Sequence, residues 1–353
     1  MSQYTKVLSM DLAKSQSVWC AYTAPSGEHA FGTVRMESQS IRDLLSSRKP
    51  DRLVLEIGSN AGWVTDLANE LGIQTQVANT NHDAWRWMNI KRKSDRRDAL
   101  KLAELSVMNQ LPTVHMPTTE VRQWRAAITY RKSLVARRTQ IKNSIRAILD
   151  RDGRRLSAGK SGWTKRAIAD LHALACVDDG APWRFMLDSE LTLLAAVQEQ
   201  LTAIEKNLDA IASRDGRVAM LRTAPCVGAR LAEAIVAFID APHRFSRGRD
   251  VGCYVGLTPR QYQSGSMDRQ GRISGQGNAL LRSLLVEVAW LGVGLHKVPW
   301  MVDVFHRVCR DSPARKKVAI IAVARRLVIR CWAMLRDGAA WCESPRADLT
   351  STA

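Results

Sequence analysis

The chain has 353 residues, room for two or three domains and a substantial core. Its 52 Lys and Arg against 34 Asp and Glu leave a net charge of +18, which favours a polyanionic partner, nucleic acid first and an anionic membrane surface second. Apolar stretches such as 318–323 are too short to span a bilayer, the N-terminus lacks a signal-peptide layout, and seven scattered cysteines and seven histidines form neither C-x-x-C nor H-E-x-x-H, so a cytoplasmic protein without a zinc site is expected.

The first 110 residues alternate strand and helix signals. "TKVLSMDL", "SVWCAYTA" and "HAFGTVRM" read as three strands, joined too closely to be anything but an antiparallel meander. "SIRDLLSSR" reads as a helix, "RLVLEIG" as a buried strand, "GWVTDLANELG" as a helix ended by Gly72, and "IQTQVANT" as a fifth strand. From 82 to about 108 the pattern is helical, interrupted near "KRKSDRRD". The order β-β-β-α-β-α-β-α is that of a ribonuclease H-like (RuvC-like) α/β fold.

Residues 118–150 carry a helical stripe through Trp124, Ile128, Leu134, Val135, Ile141, Ile145 and Ile148, flanked by arginines and lysines that include Arg137 and Arg138. At 186–213, Leu187, Leu191, Leu194, Leu201, Ile204, Leu208 and Ile211 step by threes and fours, the spacing of a coiled-coil seam. A hairpin within the chain and an interface between subunits satisfy that seam equally. The segment 152–183, rich in Gly, Arg and Lys, is expected to loop out. Its "GRRLSAGKS" is no P-loop, because five residues separate Gly153 from Gly159 where the motif needs four.

The rest, 217–345, is mostly helical. "LRTAPCVGARLAEAIVAFI" outlines a helix-hairpin-helix, with Cys226 where such turns prefer glycine. "NALLRSLLVEVAWLGVGL" is an amphipathic helix, as is 313–336, which carries Lys316 and Lys317 among seven basic residues and no acid.

Two constellations carry chemistry. Asp11 and Glu56 end the first and fourth strands, inside or beside apolar runs where an unpaired charge is expensive. Asp95 and Asp98, three apart, share a helix face. Four hard oxygen donors at one sheet edge suit Mg2+, with two ions expected, whereas a chain with 34 acids also places some at strand ends by chance. The second constellation is "YQSGSMDRQGRISGQGN" at 262–278, almost without apolar residues. Its serines have no base beside them, so taken alone the stretch reads as a flexible nucleic-acid-binding loop whose serines and Arg260, Arg269 and Arg272 contact phosphate, ahead of a nucleophile held in an arginine clamp.

Together Asp11, Glu56 and the D-x-x-D of Asp95 and Asp98 resemble the D-E-D-D set of the transposases of the insertion-sequence family numbered one hundred and ten. "GLTPRQYQSGS" at 256–266 resembles that family's C-terminal serine motif. The family is related to pilin-gene DNA invertases and includes bridge-RNA-guided recombinases. The resemblance covers roughly 1–110 and 217–335, and the middle only in architecture. It implies a D-E-D-D domain at 1–112, a coiled-coil region at 113–216, a mostly helical transposase domain with the serine motif at 217–345, and a tail at 346–353. It further implies Ser264 as nucleophile, a composite site in which one subunit's serine meets another's metal-bound carboxylates, a phosphoserine–DNA link, double-stranded target and donor DNA, a structured guide RNA, and a dimer or tetramer. Ser266 is the neighbour that competes for the assignment, and "IGSNAG" after Glu56 is looser than the family's small-residue turn. Two other classes remain: a metal-dependent nuclease or junction resolvase using the carboxylates alone, and a non-catalytic nucleic-acid-binding relative, against which the intact acids and serine speak.

Overall fold

A computed structural model describes residues 5–79, 94–264 and 267–343, in two compact units, 1–120 and 121–353. In the first, β1 (Lys6–Asp11), β2 (Gln16–Thr23) and β3 (His29–Arg35) form an antiparallel meander. Helix α1 (Ser38–Arg48) leads to β4 (Arg52–Glu56), then α2 (Ala61–Glu70), β5 (Gln74–Ala78) and α3 (Asp95–Val107). The sheet order is β3-β2-β1-β4-β5, with β4 parallel to both β1 and β5. The expected helix over 82–93 lies outside the described residues.

Period-two alternation decides which residues face which layer. Leu8, Met10, Leu53 and Leu55 pack with Ile41 and Leu45 of α1 and with Ala61 and Val64 of α2. The opposite face, Val7, Val54 and Ala78, packs with Leu102, Ala103 and Leu105 of α3. Each leucine so buried contributes roughly 1.5–3 kcal/mol.

In the second unit, α4 (Thr119–Arg151, whose first two residues belong to the first unit) and α6 (Pro182–Ala212) run antiparallel. Arg131 bonds Glu205 at 2.7 Å, Arg138 bonds Gln198 at 3.3 Å, and Ile145 and Ile148 cluster with Leu187, Leu191 and Leu194. The seam is thus covered within the chain. Between these helices the expected loop is only partly a loop. Helix α5 (Lys165–Ala175), capped by Thr164, buries Leu171 and Ala175 against the same cluster. The surrounding Lys and Arg obscure its apolar positions in the sequence.

The described remainder of the unit comprises α7 (Gly216–Leu221), α8 (Ala229–Ile239), α9 (Gly248–Val255), the hairpin β6 (Pro259–Ser264) and β7 (Met267–Ile273), α10 (Ala279–Gly294), α11 (Pro299–Cys309) and α12 (Lys316–Asp337). One core spans α4, α6 and these helices, from Trp124 and Leu208 to Leu281, Leu327 and Trp332. In the turn between α7 and α8, Cys226 has φ +63, a left-handed value that explains why glycine suits that position better. Among the described residues no single helix is long and apolar enough to cross a membrane.

Candidate active site: four carboxylates and a serine hairpin

The sheet register brings the first two acids together. Met10 pairs with Leu55 across the parallel β1–β4 ladder, so Asp11 and Glu56 end neighbouring strands side by side. Val7, Ser9 and Asp11 share one face with Arg52, Val54 and Glu56, and that face is covered by α3.

Helix α3 lies antiparallel to these strands. Ser9 Oγ donates to the Ala99 carbonyl at 2.6 Å, while Arg52, at the start of β4, reaches Ser106 Oγ at 3.2 Å near the helix's far end. From the Ser9–Ala99 contact, two residues advance about 6.6 Å along the strand to Asp11. Four residues back along the helix cover about 6 Å to Asp95. The first turn of α3, with Asp95 and Asp98, therefore arrives at the edge that carries Asp11 and Glu56. Ser94 caps this turn by accepting from Arg97 N, and the positive helix terminus stabilises both acids by a few tenths to about 1 kcal/mol each.

Electrostatics register the convergence. Burial, a hydrogen bond with Glu56, and the charges of Glu56, Asp95 and Asp98 push the Asp11 carboxyl up to about 7. Lys101, one turn beyond Asp98, faces it, and burial holds its ammonium below the usual range. Sequence reasoning misses this lysine, for which the only signal is its place three residues after Asp98. Among the described residues no three His, Cys, Asp or Glu side chains stand close enough to hold an ion as they are. The two observations agree, because Coulomb repulsion reaches well beyond ligand distance. An all-oxygen set, one member of which is driven to hold a proton, fits a hard divalent cation at this edge.

The serine motif is a hairpin, not the flexible loop its composition predicts. Tyr262 pairs with Arg269 and Ser264 with Met267, with a register shift near Pro259. Gly265 and Ser266 lie outside the described residues. Two glycines shape the root. A Cβ on Gly256 (φ +74) meets the Gln276 carbonyl at 1.9 Å, and one on Gly277 (φ +87) meets the Tyr254 carbonyl at 2.0 Å. Arg282 donates to the Val255 carbonyl at 2.9 Å and ties the same point. Arg269 and Arg272 are exposed along β7, and Arg260, also exposed, donates to the Ser274 carbonyl at 3.2 Å.

The basic helices divide into two populations. Arg137 is exposed on α4, and Lys316 and Lys317 are exposed at the start of α12. Others are structural: Arg125 donates to the Ala237 carbonyl at 2.7 Å, Lys142 and Arg146 lie over Trp163, and Arg330 lies against the rings of both Trp300 and Trp341. Charge alone does not separate these from free cations.

With this geometry in place, two family models match: a D-E-D-D transposase model over 8–152 and the transposase IS116/IS110/IS902 family model over 218–306. The chain belongs to the IS110 family of insertion-sequence transposases. The transposase for insertion sequence element IS1111A of Coxiella burnetii is 29% identical over 298 residues, 80% of this chain and 77% of that protein. A probable family 20 transposase of Pseudomonas aeruginosa is 24% identical over 293 residues, 80% of this chain and 82% of that one. A pilin gene-inverting protein of Moraxella lacunata is 29% identical over 122 residues, 34% and 37% of the two chains. The transposase is accordingly a DNA-processing enzyme, and its D-E-D-D domain points to a divalent metal ion.

Proposed function

We propose that this transposase is a site-specific DNA recombinase that exchanges strands through a phosphoserine intermediate on Ser264, guided by a structured bridge RNA. Its N-terminal unit acts as a ribonuclease H-like domain, in support of which stand the sheet order β3-β2-β1-β4-β5 and the convergence of Asp11, Glu56, Asp95 and Asp98 at one edge. That convergence is the observation that carries the reading. Mg2+ held by these four residues would supply Lewis-acid stabilisation of charge on phosphate.

The chain's own residues do the rest. Ser264 Oγ forms a bond to phosphorus as the bond from phosphorus to the 3′-oxygen breaks, and the hydroxyl proton passes, net, from serine to that oxygen. The phosphoester is conserved, so rejoining needs no ATP. The exposed Arg260, Arg269 and Arg272 are suited to bind the flanking phosphates. The serine of one subunit works with carboxylates of another, which requires a dimer or tetramer. Guide RNA and DNA backbones lie along cations such as the exposed Arg137, Lys316 and Lys317 and the half-buried Arg138.

Ser264→Ala is expected to remove every covalent protein–DNA species on a denaturing gel, whereas Ser266→Ala retains some. Nicked DNA without an adduct from the wild-type enzyme would instead establish a nuclease using the carboxylates alone. Charge reversal at Arg137 and Arg138 together should lower the salt dependence of binding, by about 0.9 in log–log slope for each phosphate that is no longer neutralised. An unchanged slope removes these two residues from the nucleic-acid surface.

A further inference from the structure

Away from the carboxylates and the hairpin, α4, α8 and α10 enclose a cavity of about 180 Å³ in the second unit. Its floor holds Ile128, Leu280 and Glu233, all buried, and Glu233 is only 1% exposed. Its rim carries Lys132, Ser283 and Glu287, which are exposed, with Lys132 Nζ donating to Ser283 Oγ at 3.2 Å.

Polar atoms at the floor are unmatched. Glu233 Oε2 and Arg230 Nη1 are both buried without a hydrogen bond, although Arg230 Nη1 lies 3.2 Å from Glu233 Oε1. Leaving an acceptor and a donor of this kind unpaired is costly, so such a pair points to a missing partner. Burial pushes the Glu233 carboxyl up to about 7 despite the neighbouring Arg230.

The shape and chemistry of the missing partner can be read from the walls. Cavities of about 150 Å³ take a benzene-sized ring, so this one holds a single flat heterocycle. Ile128, Val135, Leu280 and Leu284 supply aliphatic faces to sandwich it. An acceptor and a donor that both lack a hydrogen bond, side by side, match the edge of a nucleobase, where an amino or imino donor adjoins a ring nitrogen or carbonyl acceptor. Lys132, exposed on the rim, is placed to meet the attached phosphate.

We propose that this cavity receives one nucleobase turned out of the DNA on which the transposase acts, with Glu233 and Arg230 reading its edge. The proposal rests on the transposase reading only in that DNA is the polymer concerned. An everted base adds readout of base identity, which phosphate contacts alone do not carry.

The full-length protein is titrated with a single-stranded DNA 15-mer carrying a central 2-aminopurine, and with its RNA counterpart. Anisotropy of an end label reports binding of the polymer. Fluorescence of 2-aminopurine, high when the base is unstacked and held among aliphatic side chains, reports eversion. The expected result is a several-fold rise with DNA. In Glu233→Met and in Ser283→Leu, the rise falls at least fivefold while the anisotropy-derived affinity stays within twofold. Ser283 is on the exposed rim, so its variant narrows the mouth without disturbing the core. Anisotropy change with no rise, or a rise that survives both variants, overturns the pocket while leaving DNA binding intact. A rise with RNA alone overturns the assignment to DNA, and no anisotropy change with either polymer sinks the pocket together with the DNA reading.

Discussion

Asp11, Glu56, Asp95 and Asp98 are carried by a five-stranded sheet and a helix that share a core of Val7, Val54, Ala78, Leu102 and Ala103. Ser264 instead ends a two-stranded hairpin in which none of the described side chains is buried. An isolated hairpin is marginal in water, so its placement is delegated to its root, where Gly256, Gly277 and Arg282 bring backbone against backbone. The acids are positioned by many small contributions, and the serine by a few close approaches. Damage should therefore spread differently in the two regions.

The largest effect tests function apart from positioning. Asp11→Asn is expected to cut DNA cleavage by about 10³-fold or more, the scale of losing a group that stabilises transition-state charge. The same change relieves repulsion among the acids, so thermal stability in EDTA at pH 8 should hold or rise. Cleavage of supercoiled plasmid alongside a circular-dichroism melt measures both. Full cleavage in EDTA would show that the cluster holds no ion needed for the reaction.

Next comes the hairpin root. Gly256→Ala or Gly277→Ala places a Cβ about 2 Å from a carbonyl oxygen at a left-handed backbone angle, and should cost about 3 kcal/mol or more. Gly275→Ala has φ +65 but open space around its Cβ, and should cost only about 1 kcal/mol. Urea denaturation gives the costs, and the covalent adduct should vanish with the first two and persist with the third. Equal costs at all three sites would mean that the close approaches do not position the hairpin.

The same contrast explains what the sequence disclosed. Asp11 and Glu56 were legible because an acid at the end of an apolar run stands out, and Asp95 and Asp98 because three-residue spacing puts them on one helix face. The antiparallel meander of β1, β2 and β3 followed from short connections, whereas the place of β4 beside β1 came only from the likeness of the element order to a ribonuclease H-like fold. The hairpin was not legible: "YQSGSMDRQGRI" lacks the apolar alternation that marks a strand, and the close backbone approaches at its root involve glycines at 256 and 277, outside it. Lys101 and Glu233 were equally silent, since their significance depends on burial beside groups distant in the chain.

A third test asks whether raised carboxyls belong to the sheet edge of Asp11 and Glu56 alone. Glu233, in the other unit, faces Arg230 on its own helix, Asp209 and Glu205 of α6, and Arg131 of α4, and its carboxyl is raised from 4.5 to about 7. Between those values the folded state binds the extra proton, so this group's contribution is most favourable below pH 4.5 and is lost as pH rises through 7. The loss is at most about 3 kcal/mol. Glu233→Gln should flatten that part of the slope measured by urea denaturation at pH 5 and 8, leaving the share due to Asp11. A slope identical to wild type would show that Glu233 is ionised across this range.

The smallest effect sharpens the comparison most. Ser9 lies two residues before Asp11 on the same face, and its buried hydroxyl donates to the Ala99 carbonyl at 2.6 Å, midway along the surface that seats α3. Ser9→Ala removes that bond, but Ala99 sits within α3, where its carbonyl keeps a helical partner. The expected cost is about 1 kcal/mol. Because Leu102, Ala103 and Leu105 still hold the helix against Val7 and Val54, Asp95 and Asp98 should remain at the sheet edge, and cleavage should fall less than tenfold. Ser9→Val, which fills the space with apolar surface next to Val7 and Val54, should recover part of the stability. Melting curves and cleavage rates for the two variants check this. Loss of cleavage in Ser9→Ala with an unchanged melt would mean that one hydrogen bond, and not the shared core, brings α3 to the carboxylates, and the two regions would then be positioned in the same way.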